Sequence, residues 1–142
     1  MARIRMLNIT TATDATTTGM SIILGGRVTN AERGAVRTTF VLTGDVGSAN
    51  GDTVQIQVGA DSASGVFVLE KLDPLSVLDH IDSSGEFTSP GAVNIDSAPG
   101  LFCRAIFKAA SPNGTSSLSL WAVGAVCTAD SSARGTLVHG GP

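Results

Sequence analysis

The stretch from Gly100 to Cys127 constrains the fold more than any other part of this chain. It reads GLFCRAIFKAASPNGTSSLSLWAVGAVC, in which two runs of alternating residues flank Asn113 and Gly114. A period of two is typical of a β-strand, and Asn-Gly between two such runs predicts a tight hairpin turn. We therefore predict two neighbouring antiparallel strands joined at Asn113-Gly114.

The predicted hairpin has two different faces. One face contains only apolar or small residues and is the predicted core face: Leu101, Cys103, Ala105, Phe107, Leu120, Ala122, Gly124 and Val126. The other face combines Phe102, Ile106 and Trp121 with cationic residues. Two explanations remain open for this second face. A further layer of the same chain covers it, such as the N-terminal segment, or another subunit does, since Trp and Arg are enriched at interface centres.

The composition narrows the classes of protein to which the chain can belong. Its 142 residues suit one domain, and only 15% of them are charged, with a net charge of −3. The chain therefore lacks the excess of basic over acidic residues that is typical of a nucleic-acid-binding protein. No apolar run approaches the roughly 18–20 residues of a membrane span. The cationic N-terminus has no apolar segment after it, so we expect no secretory signal, folding in a cytoplasm, and reduced thiols at Cys103 and Cys127.

Alternating runs continue along the chain and predict about eight strands separated by turns. The clearest run extends from Asp52 to Gly59, where Val54, Ile56 and Val58 point inward. Short strands joined by Gly, Ser, Thr, Asn and Asp turns favour an all-β fold, a single-domain β-sandwich of the jelly-roll kind.

The two ends of the chain differ from its middle. Residues 1–18 are predicted to form an extended N-terminal arm, because Arg3 and Arg5 are followed by TTATDATTT, which has no apolar side to bury. Such a segment is either frayed or held by a neighbour, and we favour an arm that is ordered by contacts. We predict the sandwich domain over residues 19–130 and a polar C-terminal tail over residues 131–142.

No group of residues predicts catalysis, a cofactor or a metal ion. Asp73, Asp79, His80 and Asp82 form the densest cluster of ligand-type side chains, but they lack EF-hand spacing and a second nearby histidine. We interpret them as a solvated loop. The other histidine, His139, is distant in sequence, and no G-x-S-x-G elbow follows a strand. The chain is therefore expected not to be an enzyme.

A sugar-binding face is an alternative that the residues leave open. Gln55, Gln57 and Trp121 are residue types that line carbohydrate-binding sandwiches. One tryptophan and no tyrosine make a poor platform for stacking sugars.

From residue 35 onward the segments AVRTTFVLTG, GDTVQIQVGADSASGVFVLEKL, GAVNIDSAPGLFCRAIFKA and SPNGTSSLSLWAVGA follow a familiar order. This order resembles small β-sandwich virion proteins of tailed bacteriophages, over roughly residues 35–125. The element PGLFCRAIFKA matches best, with Arg104 at the position of a recurring arginine. The chain departs from the pattern at ADSASGVF, where Phe67 lies near the position of a tryptophan and the Asp-Gly pair is missing.

The resemblance implies a virion structural protein without enzymatic activity. It implies a capsid decoration (cement) protein on the capsid exterior, made in the bacterial cytoplasm, whose partners are the major capsid protein and copies of itself in a dimer or trimer. The alternatives are a tail, baseplate or head-fibre subunit that binds a receptor or glycan, and a cellular carbohydrate-binding module. Nucleic acid and membranes are not expected partners. The predicted contact residues are Arg3, Ile4, Arg5, Phe102, Ile106 and Trp121.

Overall fold

The computed structural model describes residues 2–10, 16–25, 35–47, 51–61, 66–69, 78–109 and 116–128. In these ranges the chain forms ten strands: β1 (Ala2–Ile9), β2 (Thr17–Thr18), β3 (Ile22–Leu24), β4 (Val36–Asp45), β5 (Thr53–Asp61), β6 (Val66–Leu69), β7 (Gly91–Ser97), β8 (Phe102–Lys108), β9 (Ser117–Gly124) and β10 (Val126–Thr128). The same ranges contain no helix that is long and apolar enough to cross a membrane. The predicted turn at Asn113-Gly114 and the predicted tail over residues 131–142 lie outside the described residues.

The strands form two antiparallel sheets that pack into a sandwich. One sheet has the order β1-β9-β4-β7, and the other has the order β10-β3-β8-β5-β6, with β2 also paired to β8. When the short β2 and β10 are left out and the other eight strands are counted from 1 to 8 in chain order, the first sheet has the order 1-8-3-6. The second sheet then has the order 2-7-4-5. This interleaving of two sheets is the jelly-roll arrangement. The predicted all-β sandwich of about eight strands is confirmed.

A single apolar core fills the space between the sheets. Its largest fully buried side chains include Phe40 and Leu120 from the four-stranded sheet and Phe107 and Ile56 from the other sheet, each at most 1% exposed. Alternate residues of each strand supply this layer because successive side chains of a strand point to opposite faces. Val54, Ile56 and Val58 of β5 are buried as the sequence predicted.

The predicted hairpin is wrong, although its core face is right. β8 pairs with β2, β3 and β5, whereas β9 pairs with β1 and β4 in the other sheet. The residues predicted to face the core are buried, except Leu101, which is half-buried and packed against the core. Two strands with alternating apolar and polar residues bury their apolar faces equally well when they pair within one sheet and when they face each other across a sandwich. The period therefore identifies the inner face of each strand but not its neighbour.

The first half of the predicted N-terminal arm is a strand of the four-stranded sheet. Residues 1–18 are predicted as an arm, but Ala2–Ile9 form β1, the edge strand beside β9. The register between the two strands shifts between Arg5 and Leu7, where a β-bulge turns both Met6 and Leu7 into the core. A bulge of this kind bends an edge strand and interrupts the regular row of side chains.

Residues Gly19 and Met20 link the two sheets at the bulge. The amide of Gly19 donates to the carbonyl of Ala105 in β8 at 2.8 Å, and the amide of Met20 donates to the carbonyl of Met6 in β1 at 2.8 Å. A Cβ atom on Gly19 would overlap the Met6 carbonyl oxygen. This position therefore needs glycine because two backbone segments approach too closely for any side chain.

Candidate interaction surface

The outer face of the four-stranded sheet is described over its whole width, and its side chains are half-buried at the centre and exposed at the two edges. The register aligns Arg5, Trp121, Val41 and Ala92 in one row across the four strands. The next row, two residues along, contains Arg3, Val123, Thr39 and Asn94. We call the part formed by Arg3, Arg5, Val41, Trp121 and Val123 the Arg–Trp face. It joins an apolar centre to a cationic edge.

Arg3 and Arg5 both lie over the ring of Trp121. The Cζ atom of Arg3 is 4.8 Å from the ring centroid, and that of Arg5 is 5.7 Å away. Both distances fall within the range of cation–π interaction. The arrangement follows from the register, because Arg5 is paired with Trp121 and Arg3 lies one step along the same face of β1.

The charges of these two arginines are not neutralised within the described part of the chain. The ion pairs there are Arg37 with Asp96 and Lys108 with Glu86, and neither includes Arg3 or Arg5. Both arginines are exposed, while Trp121 is half-buried. The edge of this face at β1 therefore presents two adjacent positive charges over an aromatic ring.

The opposite edge of the same face carries a carboxylate. Arg37 donates to Asp96 through Nε at 2.8 Å and through Nη2 at 3.2 Å, across the pair of strands β4 and β7. These hydrogen bonds from Arg37 lower the pKa of Asp96. In the neighbouring row Thr39 donates to Oδ1 of Asn94 at 2.6 Å. The β1 edge of the face is thus cationic, whereas the charge of the carboxylate near the β7 edge is balanced by Arg37.

The six predicted contact residues do not form one surface. Arg3, Arg5 and Trp121 lie together on the Arg–Trp face, but Ile4 points inward and packs against the core. Phe102 and Ile106 belong to β8 and lie on the outer face of the other sheet. The predicted grouping of Phe102, Ile106 and Trp121 assumed that β8 and β9 were neighbours, and they are in different sheets.

Phe102 is already covered within the single chain. Its side chain is 3% exposed and forms a small apolar cluster with Ile23, which is 4% exposed, and Cys127. These three residues lie in one row across β8, β3 and β10. Little of the Phe102 ring is left for a partner, whereas Ile106, two rows away, is half-buried.

A hydrogen-bonded network occupies the rest of this outer face. The carboxylate of Glu86, a residue that is 8% exposed, accepts from Thr53 Oγ1 at 2.7 Å, Gln55 Nε2 at 3.3 Å and Lys108 Nζ at 2.9 Å. Sequence reasoning missed Glu86, because it lies in the predicted loop DSSGEFTSPG, where no periodicity marks a buried residue.

The predicted sugar-binding residues are separated in the same way. Gln57 donates to Gln55 Oε1 at 2.8 Å and accepts from Arg104 Nε at 2.9 Å, so both amides are engaged in the network. Trp121 lies on the opposite side of the sandwich. Gln55, Gln57 and Trp121 therefore do not combine into a single platform.

The predicted loop cluster around His80 has a packing role. His80 Nε2 donates to the carbonyl of Ala92 at 2.8 Å, and its ring stacks on Phe87 with centroids 6.0 Å apart. Asp82 Oδ1 accepts from the amides of Ser84 and Glu86 at 2.9 and 3.0 Å, which holds the loop in shape. Asp73 and His139 lie outside the described residues.

The described residues contain no metal-binding constellation. No group of three or more His, Cys, Asp or Glu side chains comes together within them. Cys103 is fully buried, and burial raises the pKa of its thiol to about 12. Cys127 is half-buried, and neither residue forms a disulfide in the structure.

The Arg–Trp face thus has features of a protein contact, with an aromatic residue at its centre and arginines at its edge. The chain matches no protein-family model, no curated protein and no solved structure.

Proposed function

We propose that this chain is a non-enzymatic structural protein of a bacteriophage particle, a capsid decoration protein that binds the outer shell. The observation that carries the proposal is the Arg–Trp face, where Arg3 and Arg5 lie 4.8 and 5.7 Å from the Trp121 ring centroid on an exposed sheet. The sequence resemblance over residues 35–125 supplies the biological setting.

The physical needs of a decoration protein match this surface. Such a protein needs a rigid body and a contact face, and a jelly-roll sandwich provides both. Trp and Arg are the residues that most often dominate binding energy at interface centres. Contacts on a shell repeat with its symmetry, so a modest affinity for each site is multiplied when neighbouring copies bind together.

A binding experiment with capsid shells tests the proposal. The full-length chain is mixed with undecorated shells assembled from the major capsid protein encoded in the same genome, and bound copies are counted after sedimentation. We expect saturation at a fixed number of copies per lattice unit. Trp121→Ala should reduce retention at least tenfold, and Ile106→Ala, a half-buried residue on the other outer face, should bind normally.

Two results would contradict the proposal. One is failure of the wild-type chain to bind such shells at lattice stoichiometry. The other is binding to a glycan array in place of shells, which would favour the tail, baseplate or head-fibre alternative. Against that alternative, the guanidinium groups of Arg3 and Arg5 lie over the ring of Trp121, where a sugar would stack.

A further inference from the structure

We propose that the Arg–Trp face recognises a pair of carboxylates on the surface of its partner, with Arg3 and Arg5 binding them and Trp121 positioning the two arginines. This recognition rests on the proposed function, because it names the chemistry of the shell surface that the face would meet. The partner is an acidic protein surface with an apolar residue beside its acids.

Arg3 and Arg5 have hydrogen-bond donors that the described part of the chain does not use. A guanidinium group carries five N–H donors and no acceptor. The hydrogen bonds that arginine side chains donate within the described ranges come from Arg37 and Arg104. A cation–π contact engages the charge of a guanidinium group and leaves its N–H groups for other acceptors. Both arginines are exposed and are thus able to donate to a partner.

Trp121 restricts the two guanidinium groups before a partner arrives. Their Cζ atoms lie 4.8 and 5.7 Å from the centroid of the same ring. A long side chain loses rotamer freedom when it is fixed at an interface, and that loss weakens binding. The loss is smaller for an arginine that already rests on an aromatic ring. Trp121 is therefore a positioning residue for the arginine pair, in addition to the apolar area that it supplies.

The geometry of β1 sets the spacing between the two binding groups. Arg3 and Arg5 lie two residues apart on one face of the strand, which separates their Cα atoms by about 7 Å. Beyond the bulge the next outward residue is Asn8, which accepts from Ser119 Oγ at 3.3 Å and carries no charge. The positive charge of this edge is thus confined to two adjacent rows. Two carboxylates about 7 Å apart match it, as on alternate residues of an exposed strand.

Carboxylates suit this site better than the phosphates of a nucleic acid. Both anions accept paired hydrogen bonds from arginine. Nucleic-acid binding draws its affinity from the neutralisation of many phosphates, about 6–10 in a well-bound site. This face offers two uncompensated cations within the described residues, on a chain with a net charge of −3. The half-buried Val41 and Val123 continue the face beside the arginines, and an apolar centre with charge at its rim is the anatomy of a protein contact.

The single tryptophan of the chain provides a direct test of this recognition. The chain contains no tyrosine, so its emission reports on Trp121 alone. The full-length chain is titrated with the blocked peptide acetyl-Glu-Val-Glu-amide, which has carboxylates on alternate residues, and with acetyl-Gln-Val-Gln-amide as the uncharged control. We expect the acidic peptide to cause a saturable change in emission with a dissociation constant in the millimolar range, because exposed ion pairs are individually weak. The control peptide should cause none.

Ionic strength separates recognition of charge from apolar contact. Raising it from about 0.01 M to about 0.15 M shortens the distance over which exposed charges act from about 30 Å to about 8 Å. We expect this change to weaken binding of the acidic peptide about threefold or more. An affinity that is unchanged by salt, or that is equal for the acidic and the uncharged peptide, would show that the face does not recognise carboxylates.

Substitutions test the assigned roles, with circular dichroism to show that each variant is folded. Arg3→Gln and Arg5→Gln should each weaken peptide binding about threefold or more. The control combines Arg37→Gln with Asp96→Asn, which removes an ion pair from the same outer face without changing the net charge and should bind like the wild type. Trp121→Leu keeps an apolar side chain and removes the ring. It should lose both affinity and salt dependence, measured by NMR chemical shifts because the variant has no fluorophore, and wild-type values would refute the positioning role.

Two further comparisons decide which partner this face binds. An oligothymidylate of about 12 nucleotides that binds more tightly than the acidic peptide, at equal ionic strength, would assign the site to nucleic acid. Undecorated shells are bound at the same two ionic strengths, and an acidic shell surface predicts retention that falls with salt and with Arg3→Gln. Shell binding that ignores both changes refutes the acidic partner and leaves the decoration role standing, whereas peptide binding by a chain that ignores shells does the reverse.

Discussion

The buried hydroxyl oxygen of Thr38 lowers the stability of this fold. It lies on the inner face of β4 and is 1% exposed, and its Oγ1 atom has no hydrogen-bond partner among the described residues. A buried hydroxyl without a partner loses its hydration and gains nothing in return. The substitution Thr38→Val keeps the shape of the side chain and removes that cost.

We expect Thr38→Val to raise the free energy of unfolding by about 1 kcal/mol, measured by urea denaturation. The matched control is Thr39→Val on the outer face of the same strand. Thr39 donates to Asn94 Oδ1 at 2.6 Å, so its replacement should bring no gain. A Thr38→Val protein less stable than the wild type would show that a water molecule or another group satisfies the hydroxyl.

Three of the predicted contact residues lie together in the structure. The sequence indicates Arg3 and Arg5 in the N-terminal segment and Trp121 on the outer face of a strand, and the structure brings these three side chains together. Ile4 was included with the arginines because it lies between them in sequence. A strand alternates its faces, so the neighbour of two outward arginines points inward, and Ile4 packs on the core.

At the scale of the secondary-structure element, sequence periodicity determines which side chains of a strand face the core. It does not determine which strands pair with each other. The inner and outer faces of β8 and β9 follow the alternation, but the two strands belong to different sheets. Local turn residues favour a hairpin, and they are outweighed by long-range pairing of β9 with β1 and β4. No residue near β9 in the sequence indicates that β1 and β4 are its partners, because both strands lie more than 70 residues away.

The link between Gly19 and the bulge of β1 provides a test at this scale. Gly19→Ala places a methyl group against the carbonyl of Met6, and a backbone atom is not able to move aside as a side chain is. We expect a loss of about 2 kcal/mol in the free energy of unfolding, measured by thermal or urea denaturation.

Met20→Ala is the control for that substitution. The Met20 side chain is 47% exposed, and its amide keeps the hydrogen bond to Met6 after the change. Its effect should stay within about 0.5 kcal/mol. Equal effects of the two substitutions would show that the segment shifts to accommodate the methyl group.

At the scale of the whole molecule, the core between the two sheets buries Cys103 completely. The residue is 0% exposed between the two sheets, and burial raises the pKa of its thiol to about 12. A group whose pKa is raised by folding makes its full contribution to stability at pH values below the pKa that it has in the unfolded chain. That stability should decline as the pH rises from 9.0, the ordinary thiol value, toward about 12.

In a Cys127→Ser variant, Cys103 is the single thiol of the chain. We expect no reaction with a disulfide reagent such as DTNB at pH 8 in the native protein and full reaction in urea, because the reactive thiolate forms only when the sandwich opens. Rapid labelling under native conditions would contradict this burial. Labelling of the wild type at Cys127, which is half-buried, gives the comparison.

The pairing of β1 with β9 has a consequence for the order in which the protein forms during synthesis. Ala2 is paired with Gly124, so the first strand gains its neighbour only after the residues up to Gly124 have been synthesised. At ribosomal speeds that delay is on the order of ten seconds. Arg3 and Arg5 meet Trp121 only at that step, so the Arg–Trp face forms after strands β2 to β8 have been synthesised.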